Sequence, residues 1–336
     1  MNRDAVMTAL RDAGLAPVAD APFGLMTTYG TGGVAAISVA AGTEDELVAI
    51  GSAVRAAGGA EVFVLGNGSN TLVSDAGFDG VVVRLAVGED RRGEIEIDGT
   101  VVTCPGRMPL PVLARRSVAA GLCGLEWAVG VPGTVGGAVR MNAGGHGSDF
   151  EESLVTARVV SLLTGARADV DVADLGLHFR GSALRDHHVV VSARLRAESA
   201  GDHDCAGELA SIVAWRRENQ PGGRNAGSVF VNPAPGAGSS GALIDSCGLR
   251  GTSRGSATVS ERHANFIQAT DGATSADIVE LMSLVQDEVQ KHTGILLRSE
   301  TRLVGFPPDT VARFSVPYAH VESPSGDRLA GILGEA

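Results

Sequence analysis

The chain has 336 residues, of which 44% are hydrophobic and 20% are charged, and its formal net charge is −12. The length allows two or three domains with cores of their own, and the composition is typical of a soluble globular protein. The acidic balance argues against a nucleic-acid partner, and no apolar run approaches the roughly 18 residues of a membrane span.

The N-terminus lacks the uninterrupted apolar region of a signal peptide, which favours a cytoplasmic location. The cysteines have neither metal-site nor redox spacing, so we expect free thiols in a reducing compartment, at Cys104, Cys123, Cys205 and Cys247. We expect a monomer whose partner is a small molecule, with no binding to nucleic acid or membranes.

The N-terminal part predicts a β-α-β unit. Residues 34–40 have the pattern of a buried strand, and residues 61–65 form the next one. Between them, Thr43 and Glu46 have the spacing of a capping box that starts a helix, and Gly58–Gly59 ends it. This order predicts an α/β or α+β fold.

The middle part alternates short strands with one helix. Pro111 suits the first turn of a helix over residues 110–121. Because neighbours on a strand point to opposite faces, His187 and His188 form a poor ligand pair, and we predict no metal site. Strand patterns cover residues 80–87, 93–98, 100–106, 154–163 and 187–197.

A composition break at residues 198–207 predicts a domain boundary. A helix over residues 208–219 follows, and the clearest helix of the chain, over residues 275–292, is capped by Thr274 and ended by Gly294. Its buried face is expected to hold Ile278, Leu281, Met282, Val285 and Val289. A strand is predicted over residues 295–305, and a tail without clear period begins at residue 306.

Two glycine-rich segments are candidates for binding phosphate groups. Gly66-x-Gly68-x-x-Thr71 follows a strand, but β-like residues come next, so a dinucleotide fingerprint, which needs a helix there, is rejected. The backbone amides of this loop suit an anion, and Ser69 and Asn70 add donors. A tight turn between strands explains the same pattern.

The second segment runs from Gly124 to Asp149. Its glycines would let two stretches of backbone wrap a cofactor, at Gly130, Gly133, Gly136 and Gly137. Arg140 could pair with a phosphate and Asn142 with a ring edge. Close packing of strands is the structural alternative.

Six segments, in this order, resemble the UDP-N-acetylenolpyruvoylglucosamine reductase family. They are TTYGTGG from Thr27, VLGNGSNTLVSDAGFDGVVV from Val64, GLEWAVGVPGTVGGAVRMNAGGHGSD from Gly124, AGSVFVNP from Ala226, VSERHANFI from Val259 and SETRLVG from Ser299. The resemblance implies an α+β fold, in which a two-part vanillyl-oxidase-like (PCMH-like) FAD-binding domain precedes a smaller α+β substrate-binding domain. The implied divisions are residues 1–58, 59–200 and 201–305, followed by a tail over 306–336.

The resemblance also implies the cofactors and the residues that hold them. FAD would bind without a covalent bond, and NADPH would reduce it as a co-substrate. The implied FAD contacts are Thr28, Tyr29, Gly66, Asn67, Gly68, Ser69, Asn70, Gly130, Pro132, Gly133, Thr134, Gly136, Gly137, Arg140, Asn142 and Gly144. The implied substrate contacts are Asn232, Arg250, His263 and Arg302.

Three residues match the family's catalytic positions. Arg180 would bind the substrate carboxylate and the charge that develops beside it, Ser228 would donate a proton, and Glu300 would polarise the same group. Each has an ordinary explanation as well. Arg180 could be a strand residue on a solvated face or in an ion pair, and Ser228 could be a turn or cap residue. Glu300 could be an ion-pair partner of Arg302 on one face of a strand.

The implied function is the NADPH-dependent, flavin-dependent reduction of UDP-N-acetylglucosamine enolpyruvate to UDP-N-acetylmuramate in peptidoglycan precursor synthesis. The spacing from Arg185 to Trp215 is typical of the family's shorter subtype. Val231 stands where lysine is common, which leaves open a related reductase for another enolpyruvyl or nucleotide-sugar substrate. A flavin-binding module without catalysis is the alternative of another class.

Overall fold

The computed structural model describes residues 1–86, 94–233, 236–315 and 324–335. Within them the α-helices are α1 Arg3–Asp12, α2 Glu44–Ala56, α3 Leu110–Ala119, α4 Val135–Met141, α5 Phe150–Ser153, α6 Cys205–Asn219, α7 Ser240–Ser246, α8 Ser275–Thr293, α9 Pro308–Phe314 and α10 Pro324–Ile332. Among the same residues, no helix combines the length and the apolar composition that crossing a membrane would require.

The strands are short and fall into several sheets. They are β1 Val18–Ala21, β2 Ala35–Ala41, β3 Val62–Leu65, β4 Thr71–Val73, β5 Phe78–Leu85, β6 Glu96–Asp98, β7 Val101–Pro105, β8 Leu122–Cys123, β9 Gly144–Gly145, β10 Ser148–Asp149, β11 Leu154–Ser161, β12 Arg167–Asp171, β13 His188–Arg196, β14 Glu198–Ser199, β15 Ser253–Arg254, β16 Ala257–Val259, β17 Ile267–Ala269 and β18 Arg302–Val304.

The first sheet has the order β1-β2-β5-β3, with β5 parallel to both of its neighbours. The predicted β-α-β unit is confirmed, and α2 begins with the expected capping box of Thr43 and Glu46. Gly51 on α2 lies against the carbonyl of Leu162, where a β-carbon would not fit, so this helix packs directly on the second sheet.

The second sheet, β12-β11-β13-β7-β6, is antiparallel. Its main apolar cluster includes Trp127 and Phe150, whose rings meet edge to face. Helix α6 packs Ile212 into this same cluster, although it follows the composition break at residues 198–207. Val87, the last residue of the predicted strand 80–87, and Gly93, the first of the predicted strand 93–98, lie outside the described residues.

The third unit places α8 against the sheet β15-β16-β17. The predicted face of α8 is confirmed, because Ile278, Leu281, Met282, Val285 and Val289 are all buried. Thr274 and Gly294 cap this helix as expected. The predicted strand over residues 295–305 is too long. Only β18 is regular, and it pairs in parallel with β4, which brings Arg302 opposite Thr71 beside the first glycine loop.

The segment from residue 306 is folded where it is described. Helix α9 buries Phe314 in the third unit, and α10 buries Leu329 against the second sheet's cluster. Residues 316–323 and Ala336 lie outside the described residues. The reason given for the histidine pair, that the two rings point to opposite faces of a strand, is wrong, because β13 begins only at His188 and both imidazole rings reach Glu335 of this segment.

The expectation of four free thiols is also wrong. Cys123 and Cys205 form a disulfide, with their Cα atoms 5.6 Å apart and a separation of 82 positions in sequence. The sequence spacing gives no sign of this pair. It arises because β14 pairs with β8, Glu198 opposite Cys123, and so brings the start of α6 beside β8. Cys104 and Cys247 remain free thiols.

Candidate functional site

One cavity of about 420 Å³ lies where the three units meet. Most of the predicted site residues line it, from all three units: Thr28, Gly66, Asn67, Gly68, Ser69, Asn70, Gly130, Pro132, Gly133, Thr134, Gly137, Arg140, Gly144, Arg180, Ser228, Glu300 and Arg302. The fold therefore brings both glycine segments to the same place as the three candidate catalytic side chains.

The first glycine loop forms one wall of the cavity. Thr28 holds it, because its amide donates to the carbonyl of Gly68 at 3.2 Å. Its hydroxyl lies 3.3 Å from the same oxygen and donates to the carbonyl of Asn225 at 2.7 Å. Ser69 donates to the carbonyl of Pro132 at 2.9 Å and so joins the two glycine segments. Among the described residues, no protein acceptor pairs with the amides of Asn67, Gly68, Ser69 or Asn70.

These unpaired amides fit an anionic cofactor. Backbone N–H groups that find no acceptor in the protein are costly unless water or a ligand pairs with them. Successive free amides in a glycine loop form a concave donor surface that suits a phosphate group. The structure thus agrees with the nest interpretation of this loop, and β4 after it agrees with rejecting the dinucleotide fingerprint.

Gly68→Ala is expected to weaken FAD binding at least about tenfold and to lower the unfolding free energy by roughly 2–4 kcal/mol. Gly68 has φ of +62°, and a β-carbon there would lie 2.7 Å from the Cα of Thr27, so the loop has to move. Flavin titration and thermal unfolding measure the two effects. Gly58→Ala is the control, since it has φ of +95° with open space around it, far from the cavity. Normal flavin affinity in Gly68→Ala would contradict the assignment of this loop.

Only some residues of the second glycine segment line the cavity. Thr134 caps α4, accepting from the amide of Gly137 at 3.3 Å. Three of the predicted flavin contacts, Tyr29, Gly136 and Asn142, are not among the residues that line the cavity. Gly136 donates its amide to Gly106 at 2.7 Å, which is the close packing given as the alternative. Tyr29 is fully buried in the apolar cluster of the third unit.

Asn142 ends α4 in a left-handed conformation, with φ of +39°. Its side-chain oxygen accepts from the amide of Glu151 at 2.9 Å, and its amide group donates to the carbonyl of His178 at 3.3 Å. These bonds fix the turn that follows α4.

Arg180 and Glu300 form an ion pair inside the cavity, with 3.1 Å between Nε and Oε1. The ion pair that the ordinary explanation of Arg180 allowed is thus formed, but Arg180 does not lie on a strand. It sits in a turn with φ of +61°, and its Nη2 donates to the carbonyl of Gly144 at 3.2 Å. A left-handed arginine costs conformational energy, and such positions cluster at functional sites.

Ser228 reaches the cavity because two extended segments lie side by side. The amide of Glu300 donates to the carbonyl of Val229 at 2.8 Å, and Phe230 bridges to Ser299. This pairing brings AGSVFVNP beside SETRLVG, although about 70 residues separate them in sequence. Ser228 and Glu300 therefore line the same cavity.

Burial raises the pKa of Glu300 above its ordinary value, and the nearby charge of Arg180 opposes that rise only in part. Removal from water disfavours the charged form of a carboxyl group. The side chain is thus better able to hold a proton near neutral pH than an exposed glutamate. The strand ion pair with Arg302 is not formed, since Arg302 bonds Asp186 instead, at 2.8 Å.

Asp186 is a site residue that the sequence analysis missed. Its carboxylate accepts from Arg302 and also from Arg140, at 2.7 Å from Nη2. Arg140 donates in addition to the carbonyl of Leu184 at 3.0 Å. Asp186 thereby orients two cavity arginines from different units. In the sequence, nothing about an aspartate between Arg185 and His187 indicates that it binds two distant arginines.

The cavity has further lining residues that the sequence analysis did not single out. Arg216, at the end of α6, donates from Nε to Gln220 at 2.8 Å, and burial lowers its pKa. Both residues line the cavity, as does Phe266. In the sequence, the arginines in the last turn of α6, followed by Pro221, are the feature that could have indicated these lining residues.

Three predicted substrate contacts lie outside the cavity lining. Arg250 bonds Asp245 with both Nε and Nη2, at 2.6 and 3.0 Å. Asn232 accepts from the amide of Ser240 at 3.0 Å, near the start of α7. The ring of His263 packs on Phe266, and burial lowers its pKa. Each of the three has a local structural partner, which motif position alone does not reveal.

Two family models match the chain. One describes an FAD binding domain and covers residues 35–169, and the other describes the C-terminal domain of UDP-N-acetylenolpyruvoylglucosamine reductase and covers residues 219–304. Together with the cavity and its unpaired amides, these matches define the class. The protein is a flavoprotein with an FAD-binding domain and a separate C-terminal domain.

Relatives with known names give the family. A UDP-N-acetylenolpyruvoylglucosamine reductase of Gloeobacter violaceus is 42% identical over 249 residues, 73% of this chain and 82% of that protein. One of Rubrobacter xylanophilus is 37% identical over 86% of this chain and 95% of that protein. The crystal structure of the Thermus caldophilus enzyme (MurB) matches with a TM-score of 0.72 at 33% identity, over 86% of this chain and 98% of that one. The chain belongs to the UDP-N-acetylenolpyruvoylglucosamine reductase family.

Proposed function

We infer that this chain is an NADPH-dependent flavoprotein oxidoreductase that reduces UDP-N-acetylglucosamine enolpyruvate to UDP-N-acetylmuramate, a step of peptidoglycan precursor synthesis. The observation that carries the proposal is the ion pair of Arg180 and Glu300, which shares one cavity with Ser228 and the unpaired amide loop. A flavin-binding module without catalysis would have no use for this arrangement.

The cofactor fits the residues that are present. FAD supplies the hydride chemistry when it is bound, and NADPH restores its reduced form. The amides of residues 67–70 and the hydroxyl of Thr134 would hold its phosphate groups. Gly227 lines the cavity, and open space lies where a β-carbon would stand. A flat ring can therefore approach the backbone there.

Arg180 is proposed to hold the substrate carboxylate. The double bond of the substrate is conjugated to that group, so negative charge grows there when the terminal carbon is reduced. A guanidinium that is already fixed in a cavity stabilises such charge without reorganisation in the transition state. Its Nε contact with Glu300 at 3.1 Å, which a neutral carboxyl can also accept, and its bond to the carbonyl of Gly144 provide the fixed position.

Ser228 is proposed to donate the proton to the second carbon of the double bond. A hydroxyl is a weak acid, and charged neighbours are needed to make it effective. Arg180 lies in the same cavity and can stabilise the alkoxide that remains. Glu300, in its protonated form, would donate a hydrogen bond to the substrate carboxylate or return a proton to the serine.

The pH dependence follows from Glu300. Its pKa is raised, so the protonated form persists above the ordinary value and is lost as the pH rises through the raised pKa. We expect the rate of substrate reduction to fall over that range. In Glu300→Gln the side chain cannot ionise, and this limb of the pH profile should disappear. If the fall in rate at high pH is the same in Glu300→Gln as in the parent, another group causes it.

Arg140 and Arg302, oriented by Asp186, and the nearby Arg216 would hold the anionic portions of FAD and of the nucleotide sugar. The two-part FAD domain would span residues 1–58 and 59–200, and the substrate domain residues 201–305. We also propose a monomer in the cytoplasm, since a nucleotide-sugar precursor is a small intracellular compound. The expected free thiols no longer support that location, because Cys123 and Cys205 form a disulfide.

The direct test is the identity of the product. The purified protein, loaded with FAD, is incubated with NADPH and UDP-N-acetylglucosamine enolpyruvate, and the mixture is separated and weighed by mass spectrometry. A product that co-migrates with UDP-N-acetylmuramate is expected. The flavin-free protein is the control. Consumption of NADPH without any reduced product would contradict the proposed substrate.

A further inference from the structure

The C-terminal segment is bonded to the second sheet at several points. Helix α10 buries Leu329, and Leu333 beyond it is fully buried as well. Thr164, in the turn between β11 and β12, donates its hydroxyl to the carbonyl of Leu333 at 2.7 Å. Arg328 pairs with Asp174 at 3.4 Å. The family's C-terminal model ends at residue 304, before this segment.

Glu335 is held in a nearly closed site. Its Oε1 accepts from the hydroxyl of Ser161 at 2.6 Å, from Nε2 of His187 at 3.1 Å and from Nε2 of His188 at 2.9 Å. Only 5% of its side chain is exposed. Three donors on one buried carboxylate oxygen make this the most specific contact of the segment.

Two histidines and a carboxylate are also a common ligand set for zinc, and their three ligand atoms lie within 4.8 Å of one another. The second ring nitrogen of His188 argues against a metal. Its Nδ1 accepts from the amide of Arg185 at 2.9 Å, so in the neutral ring the proton is on Nε2. A metal-binding imidazole needs the reverse arrangement. The cluster is therefore a hydrogen-bonded carboxylate site.

The turn over residues 184–188 connects this cluster to the cavity. Its histidines bond Glu335, while Asp186 bonds Arg140 and Arg302 on the cavity side. The amide of His188 donates to the carbonyl of Arg185 at 3.0 Å and closes the turn. Only one residue lies between Asp186 and the second histidine, so displacement of the histidines moves the aspartate.

We propose that Glu335 is a positioning residue, which holds the turn 184–188 so that Asp186 orients Arg140 and Arg302 toward the ligands of the cavity. The effect on substrate rests on the proposed function, but the coupling between Glu335 and the turn does not. The C-terminal segment, which shows no clear period in the sequence, thus holds the turn that orients two arginines of the cavity.

The test compares Glu335→Ala with Arg328→Ala in the full chain. Both remove one anchor of the segment, but only the first contacts the turn. We expect hydrogen exchange of the amides of residues 185–188 to become about tenfold faster in Glu335→Ala and to stay near the parent rate in Arg328→Ala. The Kd for FAD and the KM for the enolpyruvyl substrate should each rise about three- to tenfold in Glu335→Ala, with kcat within about twofold.

Glu335→Gln should recover much of the loss, because its amide oxygen still accepts a hydrogen bond. Unchanged exchange in Glu335→Ala, or equal effects in Arg328→Ala, would overturn the positioning role. One equivalent of Zn²⁺ bound by the parent and lost in Glu335→Ala would overturn it in favour of a metal site. If the parent does not reduce the substrate, the proposed function fails, while hydrogen exchange and FAD affinity still decide the coupling.

Discussion

Ser228→Ala is expected to slow the reaction with enolpyruvyl substrate by roughly 10²–10⁴-fold and to leave flavin reduction by NADPH unchanged. Removing the hydroxyl removes the group that we assign as proton donor, but no contact that NADPH oxidation requires. The change is small and affects no buried apolar contact, so the fold should persist. Rapid mixing of the pre-reduced variant with substrate gives the rate directly.

The matched control is Ser69→Ala. Ser69 also lines the cavity, but its hydroxyl donates to Pro132 and joins the two glycine segments. That variant should bind FAD more weakly and, once saturated with FAD, should reduce substrate at nearly the parent rate. If Ser228→Ala reacts with substrate as fast as the parent, another group delivers the proton.

Arg180→Ala is expected to lower the rate of substrate reduction by at least about 10²-fold. The variant leaves the partly buried carboxyl of Glu300 without the cation 3.1 Å away, and it leaves the developing charge of the substrate without a partner. Because Arg180 lowers the pKa of Glu300 in the parent, that pKa should rise further in the variant. The high-pH limb of the profile should therefore move to higher pH.

Two companion variants separate charge from geometry. Arg180→Lys keeps the charge but loses the planar fork that fits a carboxylate, so most of the loss should remain. Phe179→Ala removes the exposed ring that lies 4.9 Å from the guanidinium and keeps the ion pair, so its effect should be small. Equal losses in Phe179→Ala and Arg180→Ala would mean that the turn as a whole, rather than the guanidinium, is required.

Local patterns predicted the regular elements well. The capping box of Thr43 and Glu46 and the five buried residues of α8 depend on contacts between near neighbours in sequence, which periodicity and capping chemistry report directly. The order of six motifs indicated the family, and the family's motifs gave the three catalytic candidates. Their convergence in one cavity depends on the β18–β4 pairing and on the extended pairing of residues 229 and 300, which the sequence does not show.

The failures share one physical cause, which is long-range packing. A glycine that faces a cofactor and one that allows close packing look alike in sequence, and Gly136 is of the second kind. Cys123 and Cys205 meet only because β14 pairs with β8. The histidine pair and Glu335 are about 147 residues apart and meet only because α10 returns to the second sheet.

The measurement that tests the central claim most directly is an anaerobic single turnover. The purified protein is checked for an oxidised-flavin spectrum, reduced with one equivalent of NADPH, and mixed with UDP-N-acetylglucosamine enolpyruvate while the flavin absorbance is followed. We predict bleaching with NADPH and a rapid return of the absorbance with the enolpyruvyl substrate. Bleaching without return would contradict the proposed substrate, and a protein that carries no flavin and binds none when it is supplied would contradict the assignment of the cavity.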